Sequence, residues 1–170
     1  RKAMIILKPN KLLFKNFSAF LALGFGSGLI KKAPGTFGSL AAIPFFLFIQ
    51  LLSPPLIYLF IITMFFIGIY VADKTSQALA MNDPSCIVID EIVGFLLLLI
   101  LVAHLHGAEI SITKIDFFLA FILFRIFDIW KPFPIDLLEK KFKGGFGIMI
   151  DDIGATIYAF TVFMLIHYAI

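Results

Sequence analysis

Apolar runs fill most of this chain: Ser39 to Leu52, Leu56 to Ala72, Ile87 to His104, Ile115 to Trp130 and Ile153 to Tyr168. Where water is absent, the backbone N–H and C=O groups of such a run must bond to one another, so each is expected to be a helix. Hydrophobic residues make up 61% of the 170 residues and charged ones only 15%, with 22 Phe. A water-soluble domain of this size has too little interior to hide that much apolar surface. A mean hydropathy of +1.06 points the same way. The expected fold class is all-α: a polytopic membrane protein of about five short transmembrane helices. Most of the runs fall short of the roughly 20 residues a span needs, so tilt or local thinning is expected. Ser53-Pro54-Pro55 turns the first two into a helical hairpin, Asp73 to Ser85 is a polar connection, and His106 to Thr113 is a short loop.

Ahead of these runs, Leu12, Leu13, Phe14, Phe17, Phe20, Leu21 and Leu23 recur at helical intervals flanked by Lys8, Lys11 and Lys15. The pattern predicts an amphipathic helix in the headgroup layer, its lysines toward anionic membrane lipids, ended by Gly24, Gly26 and Gly28. No internal repeat or low-complexity linker divides the chain, so residues 1–170 read as one domain. Within it, 1–38 form the interfacial helix and glycine-rich loop, and 39–170 the transmembrane helices with their loops. No secretory signal is expected, because the basic opening leads into an interrupted stretch without a small-residue cleavage site. Of the 14 basic residues, all but Lys114 fall on the side of the N-terminus in this five-span arrangement. Cytoplasmic loops hold the basic excess, so the N-terminus is placed inside and the C-terminus outside. The same arrangement gathers Asp73, Asp83, Asp90, Glu91, Asp128, Asp136, Glu139, Asp151 and Asp152 on the inner face. No nucleic-acid partner is expected, and oligomeric state is not legible.

Candidate chemistry begins with Gly144-Gly145-Phe146-Gly147-Ile148-Met149-Ile150-Asp151-Asp152, which sets two adjacent carboxylates where the last helix is expected to begin. Its dipole would favour their ionisation. A second pair, Asp90-Glu91, heads the third run, with Gly94 one turn on expected to leave space beside it. Neighbouring carboxylates repel and are costly to dehydrate, so such groups call for a metal, a base or a proton. In Arg125-Ile126-Phe127-Asp128-Ile129-Trp130-Lys131 the charges fall at i, i+3 and i+6. That spacing fits either an ion-pair ladder at a membrane edge or a phosphate clamp. Hard oxygen donors without an inner-face His favour magnesium or manganese over zinc. Lys31, Lys32, Arg125 and Lys131 add positive charge for a phosphate, the combination that phosphoryl chemistry uses. Two glycine-rich stretches, Gly24 to Gly28 and Lys31 to Ser39, can offer backbone N–H groups to phosphate or can be plain turns; neither has Walker A spacing. His104, His106 and His167 fall on the far side, and Cys86 has Ile92 where a cysteine phosphatase would want Arg. Metal-activated water with an acid as general base is the mechanism that remains.

Four motifs carry a resemblance to the phosphatidylglycerophosphatase A family. They are Gly24-Phe25-Gly26-Ser27-Gly28 with Pro34-Gly35-Thr36-Phe37-Gly38-Ser39; Ile89-Asp90-Glu91-Ile92-Val93-Gly94; Phe124 to Pro134; and Gly144 to Asp152. The resemblance implies a bacterial inner-membrane enzyme that uses magnesium to remove the terminal phosphate of phosphatidylglycerophosphate, giving phosphatidylglycerol on the cytoplasmic face. Asp90, Glu91, Asp151 and Asp152 would then hold the metal and Asp128 would complete the site. Arg125 and Lys131 would bind phosphate, with Lys32, Ser27, Thr36 and Gly35 assisting. Many relatives have His before Asp83; this chain has Asn82, which is assigned no catalytic role. A transporter or proton-coupled channel using intramembrane acids is the alternative from another class. A phosphatidyltransferase is disfavoured because its several aspartates spaced within one motif are missing.

Overall fold

The computed structural model describes residues 8–13, 15–107 and 112–169; Arg1, Lys2, Phe14 and the middle of the loop expected at His106 to Thr113 lie outside the described residues. Every regular element among the described residues is helical: α1 Pro9–Leu13, α2 Phe17–Ala22, α3 Pro34–Leu40, α4 Ile43–Ile49, α5 Pro54–Leu79, α6 Ile89–Leu105, α7 Lys114–Trp130, α8 Ile135–Lys141 and α9 Gly145–Ala169.

Helix α6 is the hub. Ile92, Val93, Phe95, Leu96, Leu98, Leu99, Ile100, Val102 and Ala103 are all fully buried, as expected of a helix that is apolar on every side. Helices α3, α4, α5, α7 and α9 pack around it. Two sets of contacts define the ends of the bundle. At one end the Tyr58 hydroxyl meets His104 Nε2 at 3.0 Å, His106 meets Asp116 at 3.1 Å, and His106 lies against His167. At the other, the Gly145 N–H donates to Asp73 and Lys131 pairs with Asp151. So α5 and α7 finish, and α6 and α9 begin, at the acidic end. Broken α3–α4 runs from Gly35 at that end toward Gln50, beside Thr113 and Lys114 at the histidine end.

The ends of the helices follow local chemistry. Pro54 and Pro55 occupy the first positions of α5, where a missing N–H costs nothing, and Ala80 in the left-handed conformation closes it. Thr113 and Asp116 form a reciprocal capping box on α7. Lys131, at φ 45°, ends that helix ahead of Pro132.

Several expectations are corrected here. The amphipathic helix is broken into α1 and α2, with extended Asn16 capping α2 between them; at the glycines expected to end it, a 3-10 segment Gly24–Leu29 follows with positive φ at Phe25 and Gly26. The first arm of the hairpin is two helices of 7 residues each. The polar connection after α5 is shorter than expected, since the helix continues through Asp73 to Leu79. Helix α9 begins at Gly145, so Asp151 and Asp152 are its seventh and eighth residues and lie beyond the reach of its terminal dipole. Among the described residues two helices, α5 and α9, are long and apolar enough to cross a membrane, where about five were expected. At 17 residues each, α6 and α7 span only ~25 Å at ~1.5 Å per residue.

The early start of α9 depends on bare backbone. A Cβ at Gly145 would overlap the carbonyl oxygen of Ile69 on α5, and one at Gly147 would overlap that of Phe142. Gly145→Ala should therefore force α5 and α9 apart and lower the melting temperature in detergent by roughly 5–10 °C, read by thermal unfolding. An unchanged melting temperature would show that this crossing relaxes without cost.

Candidate active site

Three helix ends deliver the acids. Asp90 and Glu91 stand in the first turn of α6, where the exposed N–H groups of the helix favour negative charge. Asp152 comes from the third turn of α9, and Asp128 from the last turn of α7. One oxygen from each of Asp90, Glu91 and Asp152 falls within 4.8 Å of the others. The α6–α9 contact that sets this spacing is close: a Cβ on Gly94 would lie 3.1 Å from the Asp152 carbonyl oxygen and 3.1 Å from its Cβ. The space expected beside Asp90 at Gly94 is thus taken by Asp152 and Phe124. The Thr156 hydroxyl, in contact with the Gly94 carbonyl at 2.8 Å and that of Asp152 at 2.9 Å, ties the two helices together.

The cluster is electrostatically incomplete. Asp90 Oδ1, Glu91 Oε2 and Asp152 Oδ2 are buried without a hydrogen-bond partner among the described residues. Asp152 is repelled by Asp128, Asp90 and Asp151, and Glu91 by Asp152 and Asp128. Arg125 is the attractive partner of Glu91. Its Nη1 pairs with Asp128 Oδ2 at 2.5 Å, while its buried Nε has no hydrogen-bond partner among the described residues. Buried acceptors without donors call for a cation, and buried donors without acceptors for an anion. A hard divalent cation carrying an oxyanion would satisfy both, and all-oxygen donors suit magnesium.

These groups line a cavity of about 270 Å³. Asp83, Asp90, Glu91, Asp128, Asp151 and Asp152 face it against two cations, Arg125 and Lys131. Gly35 at the start of α3 closes one wall. A Cβ there would collide with Glu91 Oε1 and stand 2.9 Å from Arg125 Nη1, so glycine is what lets the backbone approach both groups.

Other expected site residues are distributed differently. Asp151 pairs with Lys131 at 2.6 Å, with its second oxygen accepting from the Asp152 N–H at 3.1 Å. Lys131 thus reaches across to α9, and the expected ladder closes only between Arg125 and Asp128. Thr36 faces an adjoining groove, and the Ser27 hydroxyl donates to the Gly24 carbonyl at 2.9 Å. Lys31 and Lys32 are exposed and do not line the cavity. Asp83 and Ser85 do line it, without having been assigned. Their signal in the sequence was position: they stand in the tight connection just before Asp90. Cys86 follows them, its thiol pKa raised above the ordinary value by burial and, less, by the Asp83 charge, which fits an inert side chain.

Fold and site together define a helical protein with an acid-lined pocket, suited to a divalent cation and a phosphate, at one end of the bundle. Residues 20–167 match the family described as Phosphatidylglycerophosphatase A. Phosphatidylglycerophosphatase A of Haemophilus influenzae is 44% identical over 149 residues, 87% of this chain and 87% of that protein. The Escherichia coli protein of the same name is 38% identical over 146 residues, 86% of this chain and 81% of that protein. A Bacteroides thetaiotaomicron protein with the provisional name phosphatidylinositol-3-phosphatase is 35% identical over 155 residues, 88% of this chain and 93% of its own length. No solved structure gives a significant match. The chain belongs to the phosphatidylglycerophosphatase A family and is, with it, a phosphoric monoester hydrolase.

Metal-linked stability tests the cation pocket. Near-saturating magnesium should raise the melting temperature of the detergent-purified protein by roughly 5–10 °C. Asp152→Asn should lose that response yet be no less stable without magnesium, because one repelling charge is gone. An equal magnesium response in the variant would take Asp152 out of the site.

Proposed function

We propose that this chain is a magnesium-dependent lipid phosphatase that hydrolyses the terminal phosphate of phosphatidylglycerophosphate to give phosphatidylglycerol. The carrying observation is the meeting, in one cavity, of carboxylate oxygens of Asp90, Glu91 and Asp152 that lack hydrogen-bond partners among the described residues with Arg125, whose buried Nε also lacks one. The relatives named phosphatidylglycerophosphatase A supply the substrate. The chemistry magnesium supplies when bound is Lewis-acid polarisation of the phosphate and of water.

The chain's own residues do the rest. Asp90, Glu91 and Asp152 hold the ion. Arg125, braced by Asp128, directs its guanidinium at the phosphate oxygens, where a planar fork suits the growing negative charge. Asp151 fixes the Lys131 ammonium at the cavity wall, a second positive charge for the phosphate. Gly35 keeps its wall free of a side chain.

The proposed setting is the inner membrane of a bacterium, crossed several times, with the site at the cytoplasmic face. Supporting this are the apolar outward faces of α5, α7 and α9, with Leu59, Phe66, Ile115, Phe118, Ile157 and Leu165 all exposed. Lys74 and Lys143, near the acidic end, and Lys114, isolated at the other, match the basic asymmetry.

Phosphate release from phosphatidylglycerophosphate in detergent is the direct test. The unaltered protein should release phosphate only with magnesium or manganese present, and Arg125→Ala should lower kcat by about 10²–10³. Absence of release under any metal would sink the phosphatase reading and favour a transporter.

A further inference from the structure

The acid-lined cavity does not end at its polar wall. Arg125 and Ile129, one turn apart on α7, line both that cavity and a groove of about 520 Å³ on the outer side of the bundle. Consecutive residues of α3 divide in the same way, Gly35 facing the cavity and Thr36 the groove. Beyond Arg125 the groove is apolar. Phe121 and Ile122 continue it away from the acidic end, while Ile126 and Trp130 line it on the acidic side of Arg125, and from Ile129 back to Phe121 it covers ~12 Å of helix. Its apolar walls are open to the outside: Ile122 is 54% and Trp130 70% exposed.

Resting on the phosphatase reading above, we propose that this α7 groove seats an acyl chain of the lipid being hydrolysed, with its phosphate in the adjoining cavity. The occupant follows from the arrangement of chemistry. A polar compartment with cation and oxyanion character is joined at Arg125 to an apolar channel that leads away from the acidic end, toward the middle of the bundle. Only an amphiphile with its phosphate at one end fills both. Trp130 stands at the mouth, where an aromatic ring suits the boundary between headgroups and hydrocarbon. Among the described residues that line the groove Arg125 is the one charged side chain, and with Ile129 it borders the cavity, so the phosphate is met there and the chain runs past Ile122 toward Phe121.

Two measurements test this. Ile122→Trp and Ile126→Trp fill the groove without touching the acids. For phosphatidylglycerophosphate with palmitoyl chains, KM should rise roughly tenfold, while kcat/KM for the butanoyl analogue stays within about twofold. Equal losses on both substrates, or none on either, overturn the proposal. The second measurement needs no turnover and uses the unaltered protein, whose single Trp is Trp130. Phosphatidylglycerophosphate with brominated chains, added to detergent micelles, should quench Trp130 fluorescence at roughly a tenth of the mole fraction needed with brominated phosphatidylcholine. Equal quenching by the two lipids would mean that the groove holds bulk lipid only, and would overturn the proposal. Preferential quenching in a protein that releases no phosphate would uphold the groove and sink the phosphatase reading instead.

Discussion

Three carboxylates held together away from water constrain everything else in this protein. Burying one ionised carboxylate is costly, and burying three within 4.8 Å is tolerable only if the fold forces them together and something else neutralises them. The force comes from α6, whose side chains from Ile92 to Ala103 fill the centre of the bundle. Its apolar contacts fix where its first turn must lie, and Asp90 and Glu91 are carried along. Gly94 then brings α9 close enough to place Asp152 opposite them, and Thr156 bonds across the same contact. Packing and site are one interface, so the stability gained in the core holds the repelling charges in register.

Much of this arrangement was legible in the sequence, and the failures have physical causes. Helices α6 and α7 lie close to their expected bounds, since each is a single apolar run ended by polar or turn residues. The glycines of Gly144-Gly145-Phe146-Gly147 read as a loop, because glycine disfavours helix when judged residue by residue. Gly145 and Gly147 are helical, since bare backbone there is what lets α9 approach Ile69 and Phe142, and Gly144 precedes the helix at positive φ. Tertiary contact overrode propensity, and that shift of two turns changed the meaning of Asp151-Asp152. Adjacent residues on a helix point about 100° apart. The pair therefore divides, with Asp151 turned to Lys131 and Asp152 to the cluster. Adjacency suggested joint ligands; only the helix could separate them. Asp83 was placed on the inner face without an assigned site role and Ser85 was passed over, because irregular connections carry no period to read.

The charged stretch of α7 shows a similar limit. Spacing at i, i+3 and i+6 left open a continuous ladder from Arg125 through Asp128 to Lys131 or a phosphate clamp. The helix stops at Trp130, and Lys131 takes a left-handed backbone that carries its ammonium to the neighbouring helix. Arg125 has Asp128 as its ion-pair partner on α7 and also lines the cavity, with guanidinium donors, Nε among them, that this pair does not engage. Those donors are the reason the acidic cluster reads as a site for an anion as well as a cation.

The transport reading turns on the same geometry. A carrier needs polar groups stepping through the apolar interior, or a water-filled route, so that an ion finds partners at each depth. Among the described residues the acids of α6, α7 and α9 that face the cavity gather at one end, and the other end holds His104, His106 and His167 with Asp116. Between them, α6 presents Phe95, Leu96, Leu98, Leu99 and Ile100, each fully buried against apolar neighbours. An ion leaving the acidic end would meet close-packed hydrocarbon with no donor or acceptor for several turns of helix. Among the described residues the axis is packed with apolar side chains and the cavity opens to the α7 groove, which would suit the proposed lipid substrate rather than a transported ion.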